Sequence, residues 1–180
     1  MNSIRLAKFL TGSRANGPGL RDVFWTAGCS IHCPGCINPH LLDARSGIEV
    51  PLAEIEEVID SRRNAIEGIS FSGGEPTDQP DAFAHLARFA RSRGLSVVLF
   101  TGRTLEECMK HRERLELIAA CDLIVAGPYD RNAEQRTAPL LGSANQTIHF
   151  VTQRYGSHDL AEIPNAEIVM TGTRIVLSGL

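Results

Sequence analysis

The sequence lacks the long apolar segments and charged blocks that mark membrane and nucleic-acid-binding proteins. No apolar run approaches the roughly 20 residues that span a bilayer, and the amino terminus has no sustained apolar core of a secretory signal. The formal net charge is -3 over 180 residues, with no basic block that would bind nucleic-acid phosphates. We therefore expect a cytoplasmic protein that binds neither membranes nor nucleic acid.

Repeats, low-complexity tracts and interdomain linkers are absent as well. The length of 180 residues is that of one ordinary domain, and it supplies enough apolar sequence for a sizeable core. We therefore predict a single domain over residues 1–180.

Cysteines are few and unevenly distributed along the chain. There are five, an odd number, and three of them fall within eight positions. Cys29, Cys33 and Cys36 are better placed to hold a metal than to cross-link a secreted fold. Cys108 and Cys121 lie in helical or apolar surroundings, where we expect small buried hydrophobic residues.

Hydrophobic periodicity predicts strands that alternate with helices through the first two thirds of the chain. The predicted strands are 23–27, 68–72, 95–101, 122–126 and 147–152, followed by a hairpin over 167–177 that turns at Thr171-Gly172. The predicted helices are 52–64, 80–92 and 104–120. This alternation predicts an α/β fold with a mostly parallel sheet, whose functional groups lie on loops at the carboxyl ends of the strands.

The three clustered cysteines follow the first predicted strand in a C-x3-C-x2-C pattern, within AGCSIHCPGCINPH. Thiolates select zinc or iron–sulfur centres over magnesium or calcium. A cubane cluster takes four ligands, so three cysteines leave one iron open to a small molecule. The alternatives are a zinc site completed by His32 or His40, or cysteines that bind no metal. Zinc ligands usually come as two separated pairs, however, and this chain offers no second pair.

Short polar turns follow the next two predicted strands. The second strand runs into Gly73, Gly74 and Glu75, where two glycines allow close approach of the backbone to a ligand and a carboxylate follows. The third ends at Thr101-Gly102, which places a hydroxyl beside a flexible glycine. Each turn read alone could be an ordinary loop or helix entry. Both fall at the edge of the sheet where the cysteine loop is expected.

The cysteine loop followed by a Gly-Gly-Glu turn resembles the radical S-adenosylmethionine superfamily, whose fold is a partial (β/α) barrel. The resemblance implies a [4Fe-4S] cluster on the three clustered cysteines, with an open iron that binds S-adenosylmethionine. Reductive cleavage then gives methionine and a 5′-deoxyadenosyl radical, so the cofactors carry the difficult chemistry. The resemblance also implies that the Gly-Gly-Glu turn binds the methionyl amino group and that Thr101 helps to line the pocket.

Four further stretches resemble the anaerobic ribonucleotide reductase activating proteins, which are glycyl-radical enzyme activases. These stretches are NGPGLR at 16–21, CPGC at 33–36, GPY at 127–129 and GSANQ at 142–146. The resemblance implies that the radical takes a hydrogen atom from a glycine of a large partner enzyme, with a reductant protein as a second partner. It also implies a cofactor contact from Asn145. Because the abstracting species is the cofactor's own radical, we assign no catalytic residue.

Two positions depart from the pattern of these activating proteins. Ala126 stands where an acid is usual, and Leu141 stands where an arginine is usual. Asp122 or Asp130 could supply the missing carboxylate, although each is equally well explained as a strand-end or turn residue.

Two other functions compete with this interpretation. One is a radical S-adenosylmethionine enzyme that acts on a peptide or on a small molecule, such as a 7-carboxy-7-deazaguanine synthase. Those synthases typically have glutamate between two glycines before the first strand, where this chain has Pro18. The other is a non-enzymatic iron–sulfur or zinc module, which has no need of Glu75 on a second loop.

Overall fold

The computed structural model describes residues 2–135, 137–171 and 174–179. Seven of its strands form one open sheet. They are β1 (Ser3–Ser13), β2 (Arg21–Thr26), β3 (Ile48–Pro51), β4 (Gly68–Gly73), β5 (Ser96–Thr101), β6 (Leu123–Ala126) and β7 (Thr147–Phe150). The order across the sheet is β3-β1-β2-β4-β5-β6-β7.

The centre of the sheet is parallel and its flanks are antiparallel. Strands β2, β4, β5 and β6 run in the same direction, whereas β1, β3 and β7 run in the opposite direction to their neighbours. Parallel neighbours need long crossover connections, and helices provide them here. The predicted α/β fold with a mostly parallel central sheet is therefore confirmed.

Four helices form the crossovers and the core on one face of the sheet. They are α1 (Leu52–Arg62), α2 (Pro80–Ser92), α3 (Leu105–Met109) and α4 (Arg112–Ala119). Helix α2 buries Phe83, Leu86, Ala87 and Ala90, whose spacing places them on one helical face. They pack in a cluster that includes Phe71 of the central sheet. None of the described helices has the length and apolar character needed to cross a membrane.

The opposite face of the sheet is covered by the last third of the chain. Strands β8 (Ala166–Thr171) and β9 (Arg174–Gly179) form an antiparallel hairpin. Val169 and Val176 of this hairpin pack against a cluster that contains Val23 and Trp25 of β2. The predicted hairpin is confirmed, and the Gly172 of its predicted turn lies outside the described residues.

The predicted helix over 104–120 is wrong, because α3 and α4 are separate helices that meet at Lys110 and His111. Helix α3 begins with a capping box in which Thr104 and Glu107 bond to each other's backbone N–H groups. No glycine or proline marks the break between the helices, so the local sequence carries no signal for it.

Two flanking strands, β1 and β3, were not among the predicted elements. In β1 the pairing with β2 shifts register between Leu6 and Lys8, and this irregularity breaks the alternation of apolar and polar residues. Strand β3 has only four residues, which lie at the sheet edge and are largely exposed. Both patterns are weak signals for a method that depends on regular periodicity.

Candidate functional site

The carboxyl ends of the four parallel strands open onto one cleft. It holds about 740 Å³ of space, part of which is open to solvent. Its lining includes the residues predicted in the loops after the first three parallel strands, which are Cys29, Cys33, Cys36, Gly73, Gly74, Glu75, Thr101 and Gly102. The topology brings these residues together because the loops that follow parallel strands all leave the sheet at the same edge.

The cysteine loop is held at its base by backbone hydrogen bonds to a later turn. Gly28 N donates to Leu41 O at 2.9 Å, and Cys29 N donates to Leu42 O at 3.1 Å. All three thiols are partly exposed and free of disulfides. Burial raises the pKa of the Cys29 and Cys33 thiols, because a thiolate there loses hydration. The thiolate form is therefore less favourable at these two positions than in water.

The Gly-Gly-Glu turn packs directly against the beginning of the cysteine loop. Gly74 N donates to Thr26 O and Glu75 N donates to Gly28 O, both at 2.9 Å. A Cβ on Gly73 would lie 2.5 Å from Thr26 N, and one on Gly74 would lie 2.1 Å from Gly28 O. The two glycines are thus required for contact between the loops, a role that sequence reasoning had assigned to ligand approach.

The side chain of Glu75 is fully buried and accepts four hydrogen bonds. Its Oε1 accepts from Thr77 N at 2.9 Å, Thr77 Oγ1 at 2.6 Å and Thr101 Oγ1 at 2.8 Å. Its Oε2 accepts from Gly102 N at 2.9 Å, the only donor to that oxygen among the described residues. Burial raises the pKa of this carboxyl, while the four donors oppose the rise. Oε2 keeps a lone pair for a cationic ligand.

A polar network that sequence reasoning missed joins three of the loops. Asp78 accepts from Ser30 N, from Ser30 Oγ and from Arg103 Nη2, each at 2.8 Å. Arg103 Nη2 also donates to Ser30 Oγ at 2.6 Å, and Arg103 Nε donates to Thr77 Oγ1 at 3.1 Å. Asp78 lies three residues after Glu75, and Arg103 directly follows Gly102. This proximity to the motifs was the only feature of the sequence that could have marked Asp78 and Arg103 as site residues.

The loop after β6 closes the far side of the cleft. Gln146 lines it, donating from Nε2 to Gly127 O at 3.0 Å and accepting from Gly142 N at 2.9 Å. The neighbouring Asn145 is exposed, lies outside the lining and donates to Pro128 O at 2.7 Å. The structure therefore places Gln146 in the wall and Asn145 behind the turn, and a cofactor contact from Asn145 stays a prediction.

Neither acid suggested as a substitute at Ala126 faces the cleft. Asp122 lies at the amino end of β6, where it accepts from Val97 N at 2.9 Å and Thr152 Oγ1 at 2.8 Å. Asp130 is exposed and accepts from Asn132 N at 2.9 Å. The suggestion that one of them fills the missing acid's position is wrong, because both are used as turn or strand-end acceptors.

The donor set fits a cubane cluster. In such a cluster each cysteine binds a different iron, so the three thiols of one loop need not converge on one point. Within the described parts of the chain, no three histidine, cysteine or acidic side chains are grouped to hold a single metal ion. His32 and His40 are exposed and lie outside the lining of the cleft.

Comparisons with known proteins point to the same chemistry. A family model described as a 4Fe-4S single cluster domain matches residues 15–149. An anaerobic ribonucleoside-triphosphate reductase-activating protein from Salmonella typhi is 30% identical over 144 residues, which cover 76% of this chain and 92% of that protein. The activating protein of the same name from Enterobacteria phage T4 is 28% identical over 149 residues, with 80% and 92% covered. The crystal structure of QueE from Escherichia coli matches with a TM-score of 0.47 and 14% identity, over 57% of this chain and 53% of that one.

Proposed function

Because this chain belongs to the family of anaerobic ribonucleoside-triphosphate reductase-activating proteins, we propose that it is a radical S-adenosylmethionine enzyme that installs a glycyl radical on a partner. The partner is an anaerobic ribonucleotide reductase. The observation that carries the proposal is the shared cleft, in which three thiols of one loop face the Gly-Gly-Glu turn of the next.

Cys29, Cys33 and Cys36 would hold the cluster through their thiolates. The chemistry that a [4Fe-4S] cluster supplies when bound is one electron, received from a reductant protein, which cleaves S-adenosylmethionine to methionine and a 5′-deoxyadenosyl radical. The radical would take its hydrogen atom from a glycine of the partner. We assign no described side chain of this chain a proton-transfer role in that step.

The rest of the cleft orients the sulfonium compound. Glu75 and the adjacent turn would bind the methionyl ammonium, whose positive charge favours the buried carboxylate. Thr101 acts through Glu75, since its hydroxyl donates to Oε1 at 2.8 Å. Phe100, Val125 and Leu140 give the cleft an apolar wall that limits the access of water to a reactive intermediate.

The proposal includes a cytoplasmic location and a single functional unit over residues 1–180. All five cysteines are free thiols, as a reducing compartment requires. The hairpin at the end of the described chain is tied to its beginning, because the Glu167 carboxylate accepts from Arg14 N at 2.9 Å.

The test is anoxic reconstitution followed by two assays. We expect brown protein with about four irons per chain, formation of 5′-deoxyadenosine after reduction, and a glycyl-radical EPR signal when the organism's anaerobic ribonucleotide reductase is added. Cys33→Ala should abolish both products. Cys121→Ala is the matched control, because it removes an equally free but fully buried thiol from the core. Colourless protein that holds one zinc ion would overturn the proposal.

A further inference from the structure

The loop after β6 packs against the tip of the cysteine loop. A shallow surface pocket between the two loops is lined on one side by Pro34 and Gly35 and on the other by residues 128–132. Pro34 and Gly35 are the two residues that separate Cys33 from Cys36. The loop after β6 is therefore in contact with the part of the cysteine loop that connects two of the expected cluster ligands.

Arg131 makes this contact through the aliphatic part of its side chain. A Cβ built on Gly35 would lie 2.8 Å from Arg131 Cδ, 3.3 Å from its Cβ and 3.5 Å from its Cγ. Gly35 also has a φ of +75°, a left-handed conformation that glycine adopts without strain. Because the guanidinium is bonded directly to Cδ, its positive charge lies beside the residue that precedes Cys36.

The GSANQ segment fixes the loop that carries Arg131. Asn145 Nδ2 donates to Pro128 O at 2.7 Å, on one side of Arg131 in the chain. Ala144 N donates to Ala133 O at 2.8 Å, on the other side. These bonds hold the backbone of Arg131 in place, although its side chain is exposed.

The charge of Arg131 has no partner of opposite sign in the part of the chain that the structure describes. Its guanidinium makes no hydrogen bond or ion pair there. The preceding residue, Asp130, instead accepts from Asn132 N at 2.9 Å. Arg103, which also reaches the cysteine loop, is paired with Asp78. Arg131 therefore places an unpaired positive charge beside the cysteine loop.

We propose that Arg131 raises the reduction potential of the cluster that the three cysteines would hold. The inference rests on the proposed function. Three thiolates make such a cluster anionic, and the one electron taken from the reductant protein adds a further negative charge. A cation beside the cysteine loop therefore lowers the free energy of the reduced form more than that of the oxidised form. Arg131 thus makes electron uptake from the reductant more favourable.

A variant that loses the charge but keeps the side-chain stem tests the inference. Arg131→Met retains an unbranched apolar side chain beside Gly35 and removes the guanidinium. The reconstituted protein is titrated anoxically with titanium(III) citrate, and the reduced cluster is measured by EPR. At the midpoint potential of the wild type, we expect the ratio of reduced to oxidised cluster to fall by at least about threefold, because solvent screens this charge only in part.

The matched control is Arg88→Met, which changes the net charge by the same amount. Arg88 lies on the exposed side of α2, away from the cleft, so the wild-type ratio should be kept. Arg131→Gln covers the case in which Arg131→Met fails to fold or to bind iron, and it should show the same fall. Arg131→Lys retains a cation and should restore the wild-type ratio.

Two results overturn the inference alone, namely a wild-type ratio in the neutral Arg131 variants and an equal fall in Arg88→Met. If the wild-type protein binds a cluster but forms neither 5′-deoxyadenosine nor a glycyl radical, the proposed function fails, while the titration still decides the role of Arg131. Protein that binds no cluster overturns both.

Discussion

At the scale of single residues, two opposing effects act on the charge of the Glu75 carboxyl group. Its burial disfavours the charged carboxylate, while bonds from Thr77, Thr101 and Gly102 favour it. A buried carboxylate held in this way is costly for the free protein. Such a group becomes favourable when a cation binds beside it, and under the proposed function that cation would be the ammonium of S-adenosylmethionine. Binding of a cationic ligand would therefore offset the cost of burying this carboxylate in the free protein.

The raised pKa of Glu75 predicts a pH dependence of stability. The folded protein binds this proton more tightly than the unfolded chain, whose carboxyl titrates near 4.5. The free energy of unfolding of the apoprotein should therefore fall, relative to that of Glu75→Gln, as pH rises from 4.5 through the raised folded pKa. Urea unfolding at several pH values measures the difference. Glu57→Gln, on the exposed side of α1, should follow the wild type. A difference that grows in the opposite sense would contradict the assignment.

Residue identities predicted the centre of the site but not its supports. Cys29, Cys33, Cys36 and Glu75 were predictable because thiols and a carboxylate in fixed motifs imply chemistry by their type and spacing. Asp78 and Arg103 carry no such pattern. Their importance arises only when the loops after β4 and β5 approach Ser30, and that approach is a property of the folded sheet.

At the scale of elements, sequence reasoning succeeded where a strand is buried on both faces. Strands β4, β5 and β6 are nearly continuous runs of buried residues and were predicted within about two residues of their ends. The antiparallel flank formed by β1 and β3 was missed because β1 is irregular and β3 is short and exposed. The errors lie away from the cleft, so the predicted residues still meet at one edge of the sheet even though part of the flank was not predicted.

The network of Asp78, Arg103 and Ser30 predicts that the cysteine loop depends on its neighbours. In Asp78→Ala, the backbone N–H and the hydroxyl of Ser30 lose their acceptor and Arg103 loses its ion pair. We expect a drop of about 1–3 kcal/mol in the free energy of unfolding, with iron bound after reconstitution falling to less than about half and with an altered EPR spectrum of the reduced cluster.

The control for that experiment is Asp60→Ala. Asp60 also pairs with arginines, Arg63 and Arg93, but it lies on α1, away from the cleft. These two ion pairs are more exposed than the Asp78–Arg103 pair, so they contribute little to stability. Equal iron content and equal EPR spectra in the two variants would show that Asp78 has no role in positioning the cysteine loop.

At the scale of the whole molecule, the protein combines a rigid sheet with loops that meet only at its edge. The core on the helical face is closely packed, whereas the cysteine loop is partly exposed and held mainly by hydrogen bonds at its base. Local stability follows such differences, because loops with few buried apolar contacts open at lower free energy than core strands. Cofactor binding should therefore raise the local stability of the cysteine loop more than that of the core strands.

Hydrogen exchange under anoxia measures that unevenness. Binding of a cluster to the folded state alone stabilises it in proportion to the logarithm of ligand excess over Kd, and the cysteine loop gains the contacts directly. We expect amides of 29–38 to exchange at least about tenfold more slowly after reconstitution, because 1.4 kcal/mol of local stabilisation already gives that factor. Amides of β5, whose residues are nearly all buried, should change little. Cys33→Ala treated in the same way should show no slowing. Uniform slowing across both regions would mean that the loop is not a separate unit and that the cluster stabilises the fold as a whole.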